Sequence, residues 1–161
     1  MSEVKLVPRT RDEVHAALDA MSPDTRAYVS ADYLAKLEKS AGKDPWVHGF
    51  HVVNDEGVVV GLGCFKGPPV DETVEIAYAI VPEHQGKGYA TAAAEALAAY
   101  AFESGMARIV RAHTLPDGLA SQRVLLKSGF AKVGEVIDPE DGLVWRFECV
   151  KPTHNAYFPA G

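Results

Sequence analysis

Residues 74–91, VEIAYAIVPEHQGKGYAT, run an apolar strand into a glycine-bearing turn and from there into a long alanine-rich helix. A helix start leaves its first N–H groups unpaired and carries a partial positive charge, so an anion such as a phosphate docking there satisfies both. Gly86 and Gly88 let the backbone come close to such a ligand. Neither of two familiar phosphate loops fits. The pattern GxxxxGK[S/T] needs Ser or Thr after its Lys, whereas Lys87 is followed by Gly88 and Val81 stands where the first Gly belongs. A dinucleotide loop wants an acidic residue closing the next strand, and here Ile109 to Ala112 leads into His113.

Outward from that stretch, a helix from about Gly88 to Ser104 places Ala90, Ala93, Ala94, Leu97 and Ala101 on one face, and Gly105 ends it. Small residues there let the helix lie close to a sheet. Upstream, Lys5 to Pro8 reads as a short strand, Thr10-x-x-Glu13 as a capping box opening a helix to about Met21, and Ser30 to Ser40 as a helix carrying Tyr33, Leu34 and Leu37. Val47 to Val53 and Val58 to Phe65 read as a hairpin turning at Asn54 to Gly57, with Thr73 to Val81 as a third antiparallel neighbour. Downstream come a strand from Arg108 to Thr114, a helix from Leu119 to Ser128 stopped by Gly129, and a hairpin turning at Asp141-Gly142. The pattern is α/β with a mixed sheet. Residues 1–150 form one domain, and 151–161, with two prolines, form a tail read as a disordered end in preference to a partner arm.

Composition bounds the function. A chain of 161 residues, 47% hydrophobic, is long enough for one domain burying roughly two-thirds of its unfolded surface. No apolar run reaches signal-peptide or membrane-span length, which points to the cytosol and away from a membrane partner. A net charge of −6 argues against nucleic acid, whose binding draws on Lys and Arg. Cys64 and Cys149 sit in strand-like runs and read as buried free thiols. His48 and His51, read as lying on one strand, point to opposite faces and cannot chelate together, so no metal is expected.

The spacing Gln85-x-x-Gly88-x-Ala90 resembles the Gln/Arg-x-x-Gly-x-Gly/Ala signature of the GNAT superfamily of N-acetyltransferases, set between a strand and a helix as in that family. Residues 120–130, ASQRVLLKSGF, resemble the family's later helix ending in Lys-x-Gly-Phe, in the right order and at the right separation. Glu75-Ile76-x-Tyr78 and Gly88-Tyr89-Ala90-Thr91 resemble the branch containing the ribosomal-protein N-terminal acetyltransferases; the likeness covers roughly Gly57 to Val150. It implies a single-domain α/β GNAT fold, a mixed and mostly antiparallel sheet of about six to seven strands splayed at the cofactor site. It also implies acetyl transfer from acetyl-CoA to a primary amine, either a protein N-terminal α-amine or a small molecule.

By motif position the resemblance gives Ile80 and Val81 to the pantetheine arm. It gives Gln85, Gly86, Lys87, Gly88, Tyr89, Ala90 and Thr91 to the pyrophosphate. Glu75 is the expected general base, with a strand-end carboxylate in solvent or a salt bridge as its alternative, and His113 is the second candidate, with a core or surface histidine as its commoner explanation. Two departures stand out. Gly118 replaces an Asn frequent in the family, and Leu125 replaces a Tyr that often protonates the departing thiolate. Ser121 or a water is the expected substitute, unless the protein no longer catalyses; Ser121 also serves as a cofactor contact or as a simple first-turn serine. Against the transferase stands a non-catalytic acetyl-CoA-binding regulatory module, and the sequence leaves a homodimer undecided.

Overall fold

A computed structural model of the chain describes residues 3–27 and 29–152. Strand β1 (Val4–Pro8) feeds helix α1 (Arg11–Ala20) through the expected capping box. The Glu13 N–H donates to Thr10 Oγ1 at 3.1 Å and the Thr10 N–H to Glu13 Oε1 at 2.9 Å. That backbone hydrogen bond favours the ionised carboxylate and lowers the Glu13 pKa. Helix α2 (Pro23–Arg26) and α3 (Ala31–Lys39) follow, Ser30 capping α3 through the Tyr33 N–H at 3.0 Å.

The next stretch departs from expectation, because Val47 and His48 are helical. Pro45 opens a single turn, α4 (Pro45–His48), and Gly49 at φ 70° redirects the chain into β2 (Phe50–Asn54). His48 is buried, receiving the Asp44 N–H on Nδ1 at 3.0 Å and lying 2.8 Å from Ser40 Oγ through Nε2. It ties the end of α3 to α4, so the opposite-faces argument does not apply to it. Beyond β3 (Val59–Phe65) and β4 (Thr73–Ile80), a 3₁₀ turn at Pro82–His84 leads to α5 (Tyr89–Glu103). Then come β5 (Ile109–Thr114), α6 (Leu119–Lys127), β6 (Ala131–Asp138) and β7 (Gly142–Val150).

The seven strands lie in the order β1-β2-β3-β4-β5-β7-β6, all neighbours antiparallel except β4 and β5. That parallel pair is short. Thr73, Val74 and Glu75 face Ile109, Val110 and Arg111, after which the strands part, although β4 continues to Ile80 and β5 to Thr114. The expected splay is therefore present.

Helix α5 buries Ala93, Ala94, Leu97 and Ala101 against the sheet, with Ala90 only partly covered. Its seat depends on Gly63, where a Cβ would stand 3.1 Å from a Leu97 methyl. Phe50, Phe65, Tyr100 and Trp46 cluster at the far end of the helix, some pairs edge to face and others tilted, with centroids 4.6–6.0 Å apart. Val14, Leu18, Leu37 and Val47 make a second, smaller core under α1, α3 and α4. Cys64 and Cys149 are free thiols, partly covered rather than fully buried. Lys151 still belongs to the folded body, its N–H donating to the Arg108 carbonyl at 2.8 Å. The rest of the expected tail, from residue 153, lies outside the described residues. Among the described residues no helix is long and apolar enough to cross a membrane, and no cluster of His, Cys, Asp and Glu could hold a metal ion.

Candidate active site

Hydrogen bonding along β4 decides what lines the gap. The Lys66 N–H donates to the Glu75 carbonyl and the Val81 N–H to the Val60 carbonyl, each at 2.9 Å. Antiparallel pairing alternates, so Glu75, Ala77, Ala79 and Val81 turn their backbone groups toward β3, while Ile76, Tyr78 and Ile80 turn theirs into the gap. Ile80 thus faces the gap as expected. Its carbonyl accepts the Gln85 Nε2 amide at 2.9 Å, which gives Gln85 a structural task in the loop. Val81, expected beside Ile80, has its N–H committed to Val60, and the neighbour whose backbone faces the gap is Tyr78.

At the upper end of the gap the loop behaves as its sequence suggests. Gly86 at φ 77° and Gly88 at φ 86° occupy the left-handed region. Gly88 is the N-cap of α5, no side chain caps it, and no acidic residue occupies the first turn. The first N–H groups of a four-turn helix therefore open onto a groove of about 560 Å³. Gln85, Gly86, Gly88, Tyr89, Ala90 and Thr91 line it from one side, with Ile80 below. From α6 come Ser121, Arg123 and Lys127, the two cations one turn apart on one helix face. Lys87 lies in the loop between the two glycines, outside the groove lining. His84 also lines the groove, and its Nδ1 is buried without a hydrogen-bond partner among the described residues. An uncapped helix start, an orphaned imidazole nitrogen and paired cations suit a polyanionic nucleotide, so the residues present fit coenzyme A.

The lower end holds the titratable groups. Glu75 and His113, two alternatives in the sequence, are joined: His113 Nδ1 lies 2.9 Å from Glu75 Oε2. Lys66 Nζ reaches the same oxygen at 3.2 Å, and the Arg146 Nε–H points at His113 Nε2 from 3.1 Å. Arg146 stands directly opposite His113 on β7. An arginine Nε–H can only donate, so Nε2 is the acceptor and the imidazole is the neutral tautomer that donates from Nδ1 to Glu75. Below them Arg111 pairs with Glu148 at 2.7 Å through Nη2 and 2.8 Å through Nε, locking β5 to β7.

A cavity of about 220 Å³ contains Glu75, His113 and Lys66 together with Tyr78, Thr114 and Ser121. Tyr78 and Ser121 also line the groove at the start of α5, so the two spaces meet at those residues. Desolvation pushes the Tyr78 phenol up to about 12, which keeps it protonated at any physiological pH. Thr114 Oγ1 is buried without a hydrogen-bond partner among the described residues. Leu125, almost fully buried, lines this cavity from the core side. Gln122, also buried, donates to the Leu115 and Pro116 carbonyls at 3.0 and 3.1 Å and fixes the loop that starts α6.

Sequence reading missed Tyr78, His84, Arg123, Lys127, Lys66 and Arg146. Arg123 and Lys127 carried a usable signal, the four-residue spacing of two cations on the helix after the loop. Lys66 and Arg146 carried none, since only the sheet register brings them to Glu75 and His113.

The sequence profile of the acetyltransferase (GNAT) domain matches residues 3–131 of the chain. YnaD of Bacillus subtilis (strain 168), an uncharacterized N-acetyltransferase, is 34% identical over 84 residues, 52% of this chain and 49% of that protein. YjcK of the same organism, a probable N-acetyltransferase, is 30% identical over 106 residues, 64% of this chain and 56% of that protein. The chain spans about half the length of the curated relatives it matches. Among solved structures, spermidine N-acetyltransferase from Vibrio cholerae in complex with CoA and spermine superposes with a TM-score of 0.68 at 15% identity, covering 92% of this chain and 96% of that one. The structure of AAC(6')-Ib in complex with ribostamycin and coenzyme A gives 0.67 at 17%, covering 92% and 93%. Such low identities speak for the fold alone.

Proposed function

The chain belongs to the GNAT acetyltransferase family, and on that premise we propose that it transfers an acetyl group from acetyl-CoA directly to a primary amine, a protein N-terminal α-amine or a small-molecule amine. The observation that carries this reading is one continuous gap between β4 and β5, with an uncapped helix start at one end and the Glu75–His113 pair at the other. Glu75-Ile76-x-Tyr78 and Gly88-Tyr89-Ala90-Thr91 favour the ribosomal-protein N-terminal acetyltransferase branch. A cytosolic enzyme acting on neither nucleic acid nor membrane, with residues 1–150 as its domain and 151–161 as its tail, goes with the reading; so does room for a homodimer.

Acetyl-CoA as co-substrate supplies an activated acyl group on a thiolate leaving group. The loop N–H groups from Gln85 to Ala90, with Thr91, Arg123 and Lys127 beside them, hold the phosphates. Backbone groups of Tyr78 and Ile80 extend the sheet across the gap to hold the arm, and Ser121 lies where the two spaces meet. Glu75 acts as the base. Its Oε2 is held by His113 and Lys66, while no described residue engages Oε1, which is left to take the amine's proton directly or through water. His113, with Nε2 occupied by Arg146, holds Glu75 in place and accepts no proton in this arrangement. Tyr78, protonated and at the junction of the two spaces, takes over the acid role that Leu125 cannot fill.

Energetics favour an α-amine. Neutralising an amine of pKa about 7.8 at pH 7 costs about 1 kcal/mol, against about 4.6 kcal/mol for a lysine side chain near 10.4. One partly exposed carboxylate is a modest base and suits the first.

Calorimetric titration with acetyl-CoA, with NAD as control, followed by turnover on free amines and N-terminal peptides, tests the reading. Acetyl-CoA binding in the micromolar range with amine-dependent thiol release is expected, and NAD should not bind. Binding without turnover of any amine would favour the non-catalytic module, for which the buried Leu125 in the acid position speaks. No acetyl-CoA binding would sink both.

A further inference from the structure

A third cavity, of about 370 Å³, shares no lining residue with the groove at the start of α5 and is walled by α3, α4 and the ends of β1 and β3. Its body is aromatic, with Tyr33, Trp46 and Phe65 contributing. Its charge is lopsided: Arg9, Lys36 and Lys66 line it against one carboxylate, Asp32, in a chain whose net charge is −6. Lys66 is taken by Glu75. Arg9 is not taken. The guanidinium is partly covered, its Nε is buried, and neither a hydrogen bond nor an ion pair engages the side chain among the described residues. The same guanidinium acts electrostatically on Tyr33 and Cys64, two walls of this cavity, opposing the upward shift that burial gives each. A cation with a dry, unsatisfied donor is costly unless a ligand completes it.

The cavity leads to the reacting end of the molecule. Lys66 is a wall of both this space and the one holding Glu75 and His113. The Arg9 N–H bonds to Gly49, Phe50 faces Gly63, and Cys64 faces Ala77. Arg9 is therefore three strand spacings, roughly 14 Å at the backbone, from the strand that carries Glu75.

Resting on the transferase reading above, we infer that the acceptor carries a carboxylate as well as its amine, the carboxylate docking on Arg9 and the apolar body lying against Tyr33 and Trp46 while the amine reaches Glu75. Polycationic amines, such as the spermine and aminoglycoside bound by the structural neighbours, would meet Arg9 and Lys36 here against the single carboxylate of Asp32, with Lys66 already paired to Glu75. Recognition by Arg9 is charge-assisted and bidentate where an oxygen pair is offered.

The test is a set of paired acceptors given to the full chain with acetyl-CoA: Ala-Glu-Phe-amide and Ala-Phe-Glu-amide against their Gln counterparts, 6-aminohexanoate against hexylamine, and spermidine as the polycation. Thiol release is followed for the wild type, Arg9→Gln and Arg9→Lys. A carboxylate member is expected to exceed its neutral partner by about tenfold or more in kcat/KM through a lower KM. That advantage should vanish in Arg9→Gln as a rise in KM and return in part in Arg9→Lys, which keeps the charge if the Gln variant folds poorly. Equal use of the paired acceptors, a preference for spermidine, or a carboxylate advantage that survives Arg9→Gln would overturn the inference and leave the transferase standing. Acetyl-CoA binding with no acceptor turned over would overturn the transferase reading, and this inference with it.

Discussion

On the side of β4 that faces the helices, Val74, Ile76, Tyr78 and Ile80 meet α5 and α6; on the other side Glu75 stands in a row with Lys66, Arg111 and Glu148, and His113 with Arg146. The first side builds its binding site mostly from backbone: an uncapped helix start, two left-handed glycines, and strand groups left over where β5 departs. The second builds its site from long side chains on three strands and on the residue that follows β3, each held by another. Backbone donors depend on local chain geometry and need few particular residues. A side-chain network needs every member, and its members lie as far apart as Lys66 and Arg146 in the sequence. On the proposed reading, binding of the donor and choice of the acceptor are thus built from different materials on opposite faces of one strand.

The sharpest way to break that contrast is Gly88→Asp. It puts a side chain on a residue at φ 86° and a negative charge at the helix start, so acetyl-CoA affinity should fall by about 100-fold or more. Calorimetry reads this directly, and unchanged affinity would place the nucleotide elsewhere.

The other face should lose rate with its affinity for the donor intact. Glu75→Gln is expected to lower kcat by roughly 10²- to 10⁴-fold, the usual worth of a positioned base. His113→Asn, removing a support and leaving the base, should cost about tenfold, with a shifted pH profile as its mark. If the histidine variant proves the more damaging, the proton goes to His113.

A smaller effect sharpens the junction between the faces. Tyr78→Phe should lower kcat by about tenfold with little change in donor binding. The same substitution carries a stability signature. With the Tyr78 pKa raised from 10.0 to about 12, the folded protein holds a proton that the unfolded chain has lost between those pH values. Stability therefore falls as pH rises through that window, being unaffected by this group below pH 10. Tyr78→Phe should flatten the fall, as denaturant midpoints measured across that range would show.

The difference between the faces also governs how much could be read from the chain. The capping box at Thr10 and Glu13, the helix face of Ala93, Ala94, Leu97 and Ala101, and the glycine turn are local patterns, and each lies where its spacing places it. Val47 and His48 misled because an apolar run before a strand looks like its beginning; Pro45 and the left-handed Gly49 make it a helical turn. Glu75 and His113 were each visible, though not as one pair, since only the parallel register of β4 and β5 sets them on a diagonal. Tyr78 was hidden inside a strand pattern, where an aromatic residue reads as core, and Arg9 because nothing in its sequence surroundings marks a guanidinium whose buried Nε has no hydrogen-bond partner among the described residues.

The short contact between β4 and β5 has a mechanical side. With three facing residue pairs joining the half-sheets β1–β4 and β5–β7, the molecule has a seam, bridged also by the Glu75–His113 contact and by α5 lying across it and touching α6. A ligand arm paired to Tyr78 and Ile80 would lie along that seam as a stitch, adding a strand's worth of bonds between two bodies that meet along so little edge. Loading the donor would then stiffen the whole sheet, and the amine would be met by a more rigid molecule than the one that first met the nucleotide.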